Sequence, residues 1–219
     1  MAEIDYTTMV LLTYTPGADV ERLGYDQWLR DIDNPFFNTI PGIAHYSNWK
    51  VLDGSRGLPF THFDLLGLDG PGAVEQVWFD KNLDRFREGW VAKWGYGGSA
   101  PRATANGYGL LATRQGAVAR TFSRYASLAF EQETVRGERW IVEAALHKHW
   151  ALGTVPAGEA WRLPATTSVF GASFGLAFCD SLPKVSLSES VKGEESNGAT
   201  LTGASLTGEC IAAPDMPWR

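Results

Sequence analysis

The sequence predicts an α+β fold, and three observations support this expectation. The chain has 219 residues, of which 44% are hydrophobic and 20% charged, enough for one large domain or two small ones with real cores. In its first half, β-rich runs alternate with two amphipathic helical patterns that are bounded by Pro and Gly. These segments follow the order β-α-β-β-α, which one further strand would complete as β-α-β-β-α-β.

Each element of the first half has its own sequence signature. The predicted strands cover residues 9–15, 43–51, 60–68 and 107–113, which are rich in β-branched, aromatic and other apolar residues. The first helix begins at a cap on Asp19 and ends before Pro35, because the residue preceding a proline is pushed out of the α region. The second helix begins after Asp69 and ends at Gly95. This order of elements predicts a ferredoxin-like unit.

The second half of the chain is less regular. Residues 124–132 and 166–179 have strand character, whereas 138–152 has helical character. We therefore divide the chain into a ferredoxin-like unit (1–115), a second β-α-β unit (116–185) that could be a degenerate duplicate of the first, and a polar tail or arm (186–219). The tail is rich in Ser, Gly, Glu and Thr and has few large apolar residues.

Composition and charge exclude several classes of protein. The net charge is −6, so we do not expect a nucleic-acid partner, which would call for a basic excess. No apolar run reaches the roughly 20 residues of a membrane span, and no secretory signal is visible, so we expect a cytoplasmic protein without a membrane partner. The two cysteines, Cys179 and Cys210, do not suffice for a disulfide framework or a zinc site.

Four short motifs carry a likeness to a known superfamily. They are Trp28, Arg30-Asp31-Ile32-Asp33, the turn Ile40-Pro41-Gly42-Ile43, and Pro59-Phe60-Thr61-His62-Phe63-Asp64. Over residues 9–113 the chain resembles the dimeric α+β barrel superfamily, and within it the RedY-like and EthD-like proteins. The resemblance implies two ferredoxin-like sheets packed as a barrel across a homodimer, with a pocket for flat hydrophobic molecules. The second half departs from single-unit members, and it could instead complete the barrel within one chain.

Two histidines are candidates for acid–base chemistry. His45 and Trp49 fall on one face of their predicted strand, and His62 and Asp64 share a face of the next. If these faces coincide, the imidazoles line one surface with a carboxylate, and the ordinary pKa of imidazole, about 6.5, suits proton transfer near neutral pH. The alternative is that each histidine is a half-buried strand residue bonded to a backbone carbonyl.

The carboxylates near the end of the first helix form a second candidate group. Asp31 and Asp33 are predicted at the C-terminal end of the helix, where the helix dipole disfavours negative charge, and a broken local rule can mark function. The resemblance favours Asp33, which stands beside the loop that would border the pocket. Alternatively, Arg30 and solvent neutralise both. The candidate catalytic residues are therefore His45, His62, Asp33 and Asp64.

The aromatic residues fall into two groups. Phe79, Leu83, Phe86, Trp90 and Trp94 keep helical spacing, and we interpret this stripe as core. Phe36, Phe37, Tyr46 and Trp49 lie in a linker and on a strand, so they are the better candidates for the walls of a pocket, and Tyr14 could add a phenol from the first strand. Large apolar pockets with a few convergent polar groups are the usual form of small-molecule sites.

We predict no metal site and no cofactor. His147 and His149 are two residues apart on a predicted helix, where their side chains point about 200° away from each other. The sequence has no Walker loop, no dinucleotide-binding glycine motif between a strand and a helix, and no Gly-x-Ser-x-Gly elbow. The remaining chemistry is proton transfer, which predicts a cofactor-independent lyase or cyclase acting on a hydrophobic aromatic small molecule (phenolic, indole or pyrrole). The alternatives are a cofactor-free quinone-forming monooxygenase and a non-catalytic protein that binds a hydrophobic ligand.

Overall fold

The computed structural model of the chain describes residues 6–17, 19–52, 60–70, 72–78, 80–94, 108–113, 123–130, 138–142, 173–182, 205–214 and 216. Within these ranges it contains eight strands: β1 Thr8–Tyr14, β2 Ile43–Val51, β3 His62–Leu68, β4 Tyr108–Thr113, β5 Tyr125–Phe130, β6 Glu138–Val142, β7 Ser173–Cys179 and β8 Ser205–Ala212. The helices are α1 Tyr25–Trp28, a π-helical turn Leu29–Asp33, α2 Asn34–Phe37, α3 Ala73–Trp78 and α4 Lys81–Trp94. The chain is therefore α+β.

All the strand pairs are antiparallel, and the sheet curls until it closes on itself in the order β1-β3-β2-β8-β5-β7-β6-β4. The first four strands occur in the order β4-β1-β3-β2, and the last four repeat that order as β8-β5-β7-β6. The two halves join where β2 pairs with β8 and where β4 pairs with β6. Each junction thus joins the second strand of one half to the fourth strand of the other.

Two predictions for the second half are wrong where the structure describes it. Glu138–Val142 is a strand, not the start of a helix, because it pairs with both β4 and β7. Ser205–Ala212, predicted within a polar tail or arm, is a strand between β2 and β5. Its small residues suit this position, because a Cβ built at Gly208 would lie 2.5 Å from the ring of Phe63. The rest of the predicted helix and much of the tail lie outside the described residues.

The inside of the barrel is packed with apolar side chains. Strand β2 pairs with β3 so that Trp49 lies opposite Phe63, and their rings stack with centroids 5.8 Å apart. The buried members of this cluster are Tyr6, Met9, Leu11, Trp49, Phe60, Phe63, Leu65, Ala126, Leu128, Phe130, Phe174, Leu176, Leu206, Cys210 and Ala213. The interior is therefore a hydrophobic core.

The helices cover the outer face of β1, β2 and β3. Val10, Tyr46 and Leu66, which alternate with the inward-facing residues, pack with Phe37 of α2 and Leu83 of α4. A neighbouring cluster joins the N-terminal end of α1 to the C-terminal end of α4 through Tyr25, Leu29 and Trp94. No helix in the described part of the chain is long and apolar enough to cross a membrane.

The first helix differs from its prediction at both ends. It begins at Tyr25 after Gly24, and Asp19 does not cap it, since Asp19 has a φ of 63° and lies upstream of that start. It continues past Pro35 to Phe37 because the proline occupies the first turn of α2, where its missing N–H is not needed. The N–H of Asn34 reaches back five residues to the carbonyl of Leu29, which closes the π-helical turn.

Candidate functional site

Two buried carboxyl groups meet beneath the helices, on the outer face of the sheet. Asp33 lies in the π-helical turn and Asp64 at the centre of β3, and they are 4% and 5% exposed. The hydroxyl of Tyr46 is 3.0 Å from Oδ2 of Asp33 and 2.8 Å from Oδ2 of Asp64. The side-chain nitrogen of Asn48 is 2.9 Å from Asp33 and 3.0 Å from Asp64. One phenol and one amide therefore bridge the two acids.

The local structure brings these four side chains together. In the pairing of β2 with β3, Asn48 lies directly opposite Asp64, and Tyr46 lies two residues away on the same face. Leu29 and Asp33 stand at the two ends of the π-helical turn, and both are buried. Residues four apart lie on one face of a helix, so Asp33 faces the sheet together with Leu29.

The orientation of the bridging amide is fixed by its neighbours. The side-chain nitrogen of Asn34 donates to Oδ1 of Asn48 at 3.0 Å and to the carbonyl of Tyr46 at 3.0 Å. Asn38 donates to the same carbonyl and accepts from the backbone N–H of Tyr46 at 2.8 Å. Since Oδ1 of Asn48 is an acceptor, its NH2 group faces the carboxyls. The amide is a donor to both acids.

The hydroxyl of Tyr46 can form hydrogen bonds with both carboxyls only if the acid pair carries a proton, and its oxygen also lies 3.0 Å from the side-chain nitrogen of Asn48. A phenol has a single O–H, which can point at only one of the two carboxyl oxygens. The second contact is a full hydrogen bond only when that carboxyl is protonated and donates to the phenol oxygen. The geometry is therefore satisfied by one ionised and one neutral carboxyl.

The electrostatics favour the same protonation state. Burial raises the pKa of Asp33 from 3.8 to about 7, and the hydrogen bonds from Asn48 and Tyr46 only partly oppose it. Burial, followed by the nearby charge of Asp33, raises the pKa of Asp64 well above its usual range. Two like charges in so small a buried space disfavour each other, so the pair gives up its last proton less readily than two separate aspartates do.

A line of hydroxyl groups leads from Asp64 to the helical layer. Tyr14 donates to Oδ1 of Asp64 at 3.1 Å, Tyr25 donates to Tyr14 at 3.4 Å, and the indole N–H of Trp90 donates to Tyr25 at 3.0 Å. Burial, followed by the charge of Asp64, raises the pKa of Tyr14 and of Tyr25 well above 10. These phenols therefore keep their protons at neutral pH.

Trp90 also forms part of an aromatic cleft on the other side of the helices. This cleft has a volume of about 460 Å³. It lies between α4 and the continuous helical segment formed by α1, the π-helical turn and α2. It is lined by Trp28, Ile32, Phe36, Asn82, Arg85, Phe86, Gly89, Trp90 and Lys93. Trp28 stacks on Tyr25 with ring centroids 6.0 Å apart, and Trp90 meets Tyr14 edge to face at 5.8 Å. The two tryptophans thus stand between the cleft and the line of phenols.

The structure does not bring the two candidate histidines together. His62 lies opposite Lys50 and faces the helices with Asp64, whereas His45 lies opposite Gly67 and faces the barrel interior. The prediction that their faces could coincide is therefore wrong, because the register of β2 against β3 places them on opposite sides of the sheet. His45 is 3% exposed and packs beside the ring of Tyr6 at 6.4 Å.

His62 borders the carboxyl pair without bonding to it. Its ring stacks on Tyr14 with centroids 5.6 Å apart, and its Nδ1 is 2.9 Å from the hydroxyl of Thr61. Burial lowers the pKa of His62 from 6.5 to about 4, and the charge of Lys50 adds to this effect. The imidazole is therefore neutral at physiological pH and is not a proton donor in its cationic form.

The remaining predicted residues divide between the site and the core. Phe36 stacks on Phe86 at 4.1 Å and lines the cleft, while Phe37 packs on the ring of Tyr46 at 4.3 Å. Trp49 lies in the barrel core with its N–H bonded to Ser47 at 2.8 Å. Its predicted place in a pocket wall is therefore wrong, because the strand alternation turns it inward.

Sequence reasoning missed several residues of the site. Asn48 is one of them, although a polar residue alternating with Tyr46 on a predicted strand is a usable signal. Trp90 belongs to the predicted core stripe, whose buried members are Leu83 and Trp94, but it borders the cleft. Phe79 lies outside the described residues. Asp31 is exposed and accepts a hydrogen bond from the side chain of Gln27 at 2.6 Å. This fits the alternative interpretation that Asp31 is a solvated carboxylate and not a catalytic residue.

Within the described ranges, no group of three or more His, Cys, Asp or Glu side chains is arranged to hold a metal ion. His147 and His149 lie outside those ranges. No protein-family model, curated protein or solved structure matches the chain. The likeness to RedY-like and EthD-like proteins therefore remains a prediction.

Proposed function

We propose that the protein is an enzyme that moves protons on a hydrophobic aromatic small molecule, as a lyase or cyclase. Asp33 and Asp64 replace the two histidines as its acid–base pair. The observation that carries this proposal is the hydroxyl of Tyr46, which lies within 3.0 Å of an oxygen of each carboxyl. The proposed chemistry is proton transfer alone, which calls for no cofactor.

A carboxyl pair that shares one proton can serve as both acid and base. The neutral member donates a proton and the ionised member accepts one, so their roles can alternate within a reaction cycle. Proton transfer by a positioned side chain typically contributes a factor of about 10² to 10⁴ in rate. Asp33 and Asp64, with the pKa of each raised by burial, have the properties that this role needs at neutral pH.

The proposed path for the proton runs between Asp64 and the cleft side through the hydroxyls of Tyr14 and Tyr25. Tyr14 donates to Asp64 at 3.1 Å and Tyr25 to Tyr14 at 3.4 Å, and because the phenols do not ionise at neutral pH, each one passes a proton on as it receives another. The indole N–H of Trp90 donates to Tyr25 at 3.0 Å and holds that hydroxyl in place. An indole has no acceptor with which to relay a proton, so the Trp90 ring has to move aside for transfer between Tyr25 and the substrate. The aromatic substrate binds on the cleft side, where Trp28, Phe36 and Phe86 provide flat apolar surfaces.

We also propose that each half of the barrel is a ferredoxin-like unit and that the second half substitutes for the partner of a homodimer. The repeated order β4-β1-β3-β2 and β8-β5-β7-β6 supports this proposal. So do the two equivalent junctions, β2 with β8 and β6 with β4. A barrel that closes within one chain does not need a second copy for its closure.

The direct test is catalysis of hydrogen exchange in deuterium oxide. The protein is incubated with a panel of phenolic, indole and pyrrole compounds, and deuterium incorporation at carbon is followed by NMR. We expect Asp64→Asn to slow the exchange at least about 10²-fold, whereas Asp31→Asn, at an exposed carboxylate in the same π-helical turn as Asp33, leaves it unchanged. Equal rates for wild type and Asp64→Asn would overturn the proposed role of the pair.

A non-catalytic role in binding a hydrophobic ligand is the second candidate. It is favoured by the position of Trp28 and Trp90, whose rings contact the tyrosines and separate the cleft from the carboxyls. A binding protein would take up aromatic compounds without exchange in either the wild type or Asp64→Asn. Consumption of oxygen with a phenolic compound would instead indicate the quinone-forming monooxygenase.

A further inference from the structure

A glycine interrupts the middle of α4 at the cleft. Gly89 is exposed, and a Cβ built at this position would meet no atom within 4 Å. Glycine in a helix interior is less favourable than alanine because of its backbone entropy. Neither a close packing contact nor a positive φ requires glycine here, so folding does not explain it. What the missing side chain does provide is open space along the cleft.

The surfaces around this space are flat and already assembled. Phe86 stacks on Phe36 with centroids 4.1 Å apart and rings within 3° of parallel. It also stacks on Trp28 at 5.7 Å, and Trp90, the residue after Gly89, is anchored by its hydrogen bond to Tyr25. A planar ring above Gly89 would therefore meet a wall of aromatic side chains that are already packed on one another and need no rearrangement.

Positive charge flanks the same space. Arg85 and Lys93 lie four residues before and after Gly89 on the cleft face of α4, which places their Cα atoms about 12 Å apart along the helix. Lys93 already lies over the ring of Trp94, with its Nζ 4.5 Å from the centroid. Among the described residues that line the cleft there is no carboxylate, although the chain as a whole has a net charge of −6. The cleft thus favours an anion.

We infer that the cleft binds an aromatic carboxylate, with its ring above Gly89 and its carboxylate paired to Arg85. The planar guanidinium group suits a carboxylate because it can donate two parallel hydrogen bonds. This inference rests on the proposed function, and it names the substrate class of the proposed enzyme. Lys93 adds to the positive field at the other end of the cleft.

The test compares two probes of the same shape, naphthalene-2-carboxylate and naphthalene-2-carboxamide, by titration calorimetry. We expect the wild type to bind the carboxylate at least about tenfold more tightly than the amide. Arg85→Gln should remove that preference while leaving the affinity for the amide within about twofold. Equal affinities of the wild type for both probes, or an unchanged preference in Arg85→Gln, would overturn the inference.

The place of the ring is tested at Gly89. Gly89→Leu fills the open space and should weaken binding of both probes at least about tenfold, while Asp31→Asn serves as a control outside the cleft. Circular dichroism and the unfolding midpoint verify that Gly89→Leu is folded. Undiminished binding of both probes by the folded variant would show that the ring lies elsewhere and would overturn the inference.

The outcomes also separate this inference from the proposed function. If the wild type prefers the carboxylate probe but catalyses no exchange on any aromatic acid, the enzyme proposal fails and the ligand site stands. If it catalyses exchange on neutral aromatic compounds but on no aromatic acid, the enzyme proposal stands and the carboxylate inference fails.

Discussion

The two faces of the sheet formed by β1, β2 and β3 are both buried, but around Asp64 they differ in chemistry. On the inner face, Trp49 and Phe63 are 0% exposed and stack in the barrel core. On the outer face, their chain neighbours Asn48 and Asp64 are 0% and 5% exposed and bridge to Asp33. A step of one residue along each strand therefore separates a hydrophobic core from a polar network.

This difference shows that burial alone does not define a core. Apolar side chains on the inner face are stabilised by removal of their surface from water. The buried acid pair on the outer face is tolerated because Tyr14, Tyr46 and Asn48 lie within hydrogen-bond distance of its oxygens, and we expect the pair to keep a proton. The inner face should therefore respond to a loss of volume at any pH, whereas the outer face should respond to pH.

The largest expected effect is on the inner face. Phe63→Ala removes a fully buried ring that packs against Trp49 and Gly208, and we expect a loss of about 3 to 5 kcal/mol in the free energy of unfolding. Urea unfolding at about pH 5 and about pH 8 measures it. The loss should be the same at both pH values, and a strong dependence on pH would break the contrast between the two faces.

The next effect is the response of the outer face to pH. The pKa of Asp33 is about 7 in the folded chain and 3.8 as the ordinary value, so between these values the native state holds a proton that the unfolded state has released. The free energy of unfolding should consequently fall as pH rises from about 4 to about 7, by about 1.4 kcal/mol per pH unit for one proton.

The double variant Asp33→Asn/Asp64→Asn isolates this contribution. Since its amides do not titrate, the decline should disappear from it, and above about pH 7 it should be more stable than the wild type. Asp31→Asn should keep the decline, because its carboxylate is exposed. A double variant with the same pH dependence as the wild type would show that the pair does not hold the proton.

A smaller effect is expected from the bridging phenol. Tyr46→Phe leaves both carboxyls without the hydroxyl that lies 2.8 to 3.0 Å from them, and we expect a loss of about 1 to 3 kcal/mol. The loss should be greater at about pH 8, where a carboxylate needs a donor, than at about pH 5. Tyr125→Phe, at a partly exposed tyrosine of β5, is the matched control, and an equal effect from both would argue against the bridge.

The smallest effect has the opposite sign and compares two glycines. Gly89→Ala should stabilise the chain by about 0.5 to 1 kcal/mol, since it improves helix propensity and meets no atom. Gly67→Ala should destabilise it, because a Cβ there would lie 2.6 Å from the ring of Tyr6. Thermal unfolding measures the change in stability of both variants. A loss of stability in Gly89→Ala would mean that close packing requires a glycine at this position.

The sequence was sufficient to predict the strands of the first half and to predict which residues of one strand point to the same side of the sheet. Both follow from the alternation of side chains along a strand, which is a local property. The sequence was not sufficient to predict whether His45 and His62 lie on the same side of the sheet. That depends on the register between β2 and β3, in which Lys50 lies opposite His62, and the register is not contained in the alternation of either strand alone. The π-helical turn before Pro35 was also missed, because a proline is compatible with either the end of one helix or the first turn of the next.

The strand β8 was missed for a different reason. Its sequence, Ser-Leu-Thr-Gly-Glu-Cys-Ile-Ala, has only two large apolar residues, Leu206 and Ile211, and their spacing does not give the alternation that identifies a strand. It is held by pairing with β2 and β5 and by the fit of the Phe63 ring against Gly208. Such contacts depend on residues distant in the chain, and no local pattern contains them.

The proton shared by Asp33 and Asp64 is the central claim, and infrared spectroscopy tests it most directly. At about pH 6 an ordinary aspartate, whose pKa is about 3.9, is ionised, so a carbonyl stretching band of a protonated carboxyl should come from a perturbed acid. We predict that the wild type shows this band and that Asp33→Asn/Asp64→Asn lacks it. A wild-type spectrum without the band at that pH, or the same band in the double variant, would contradict the account.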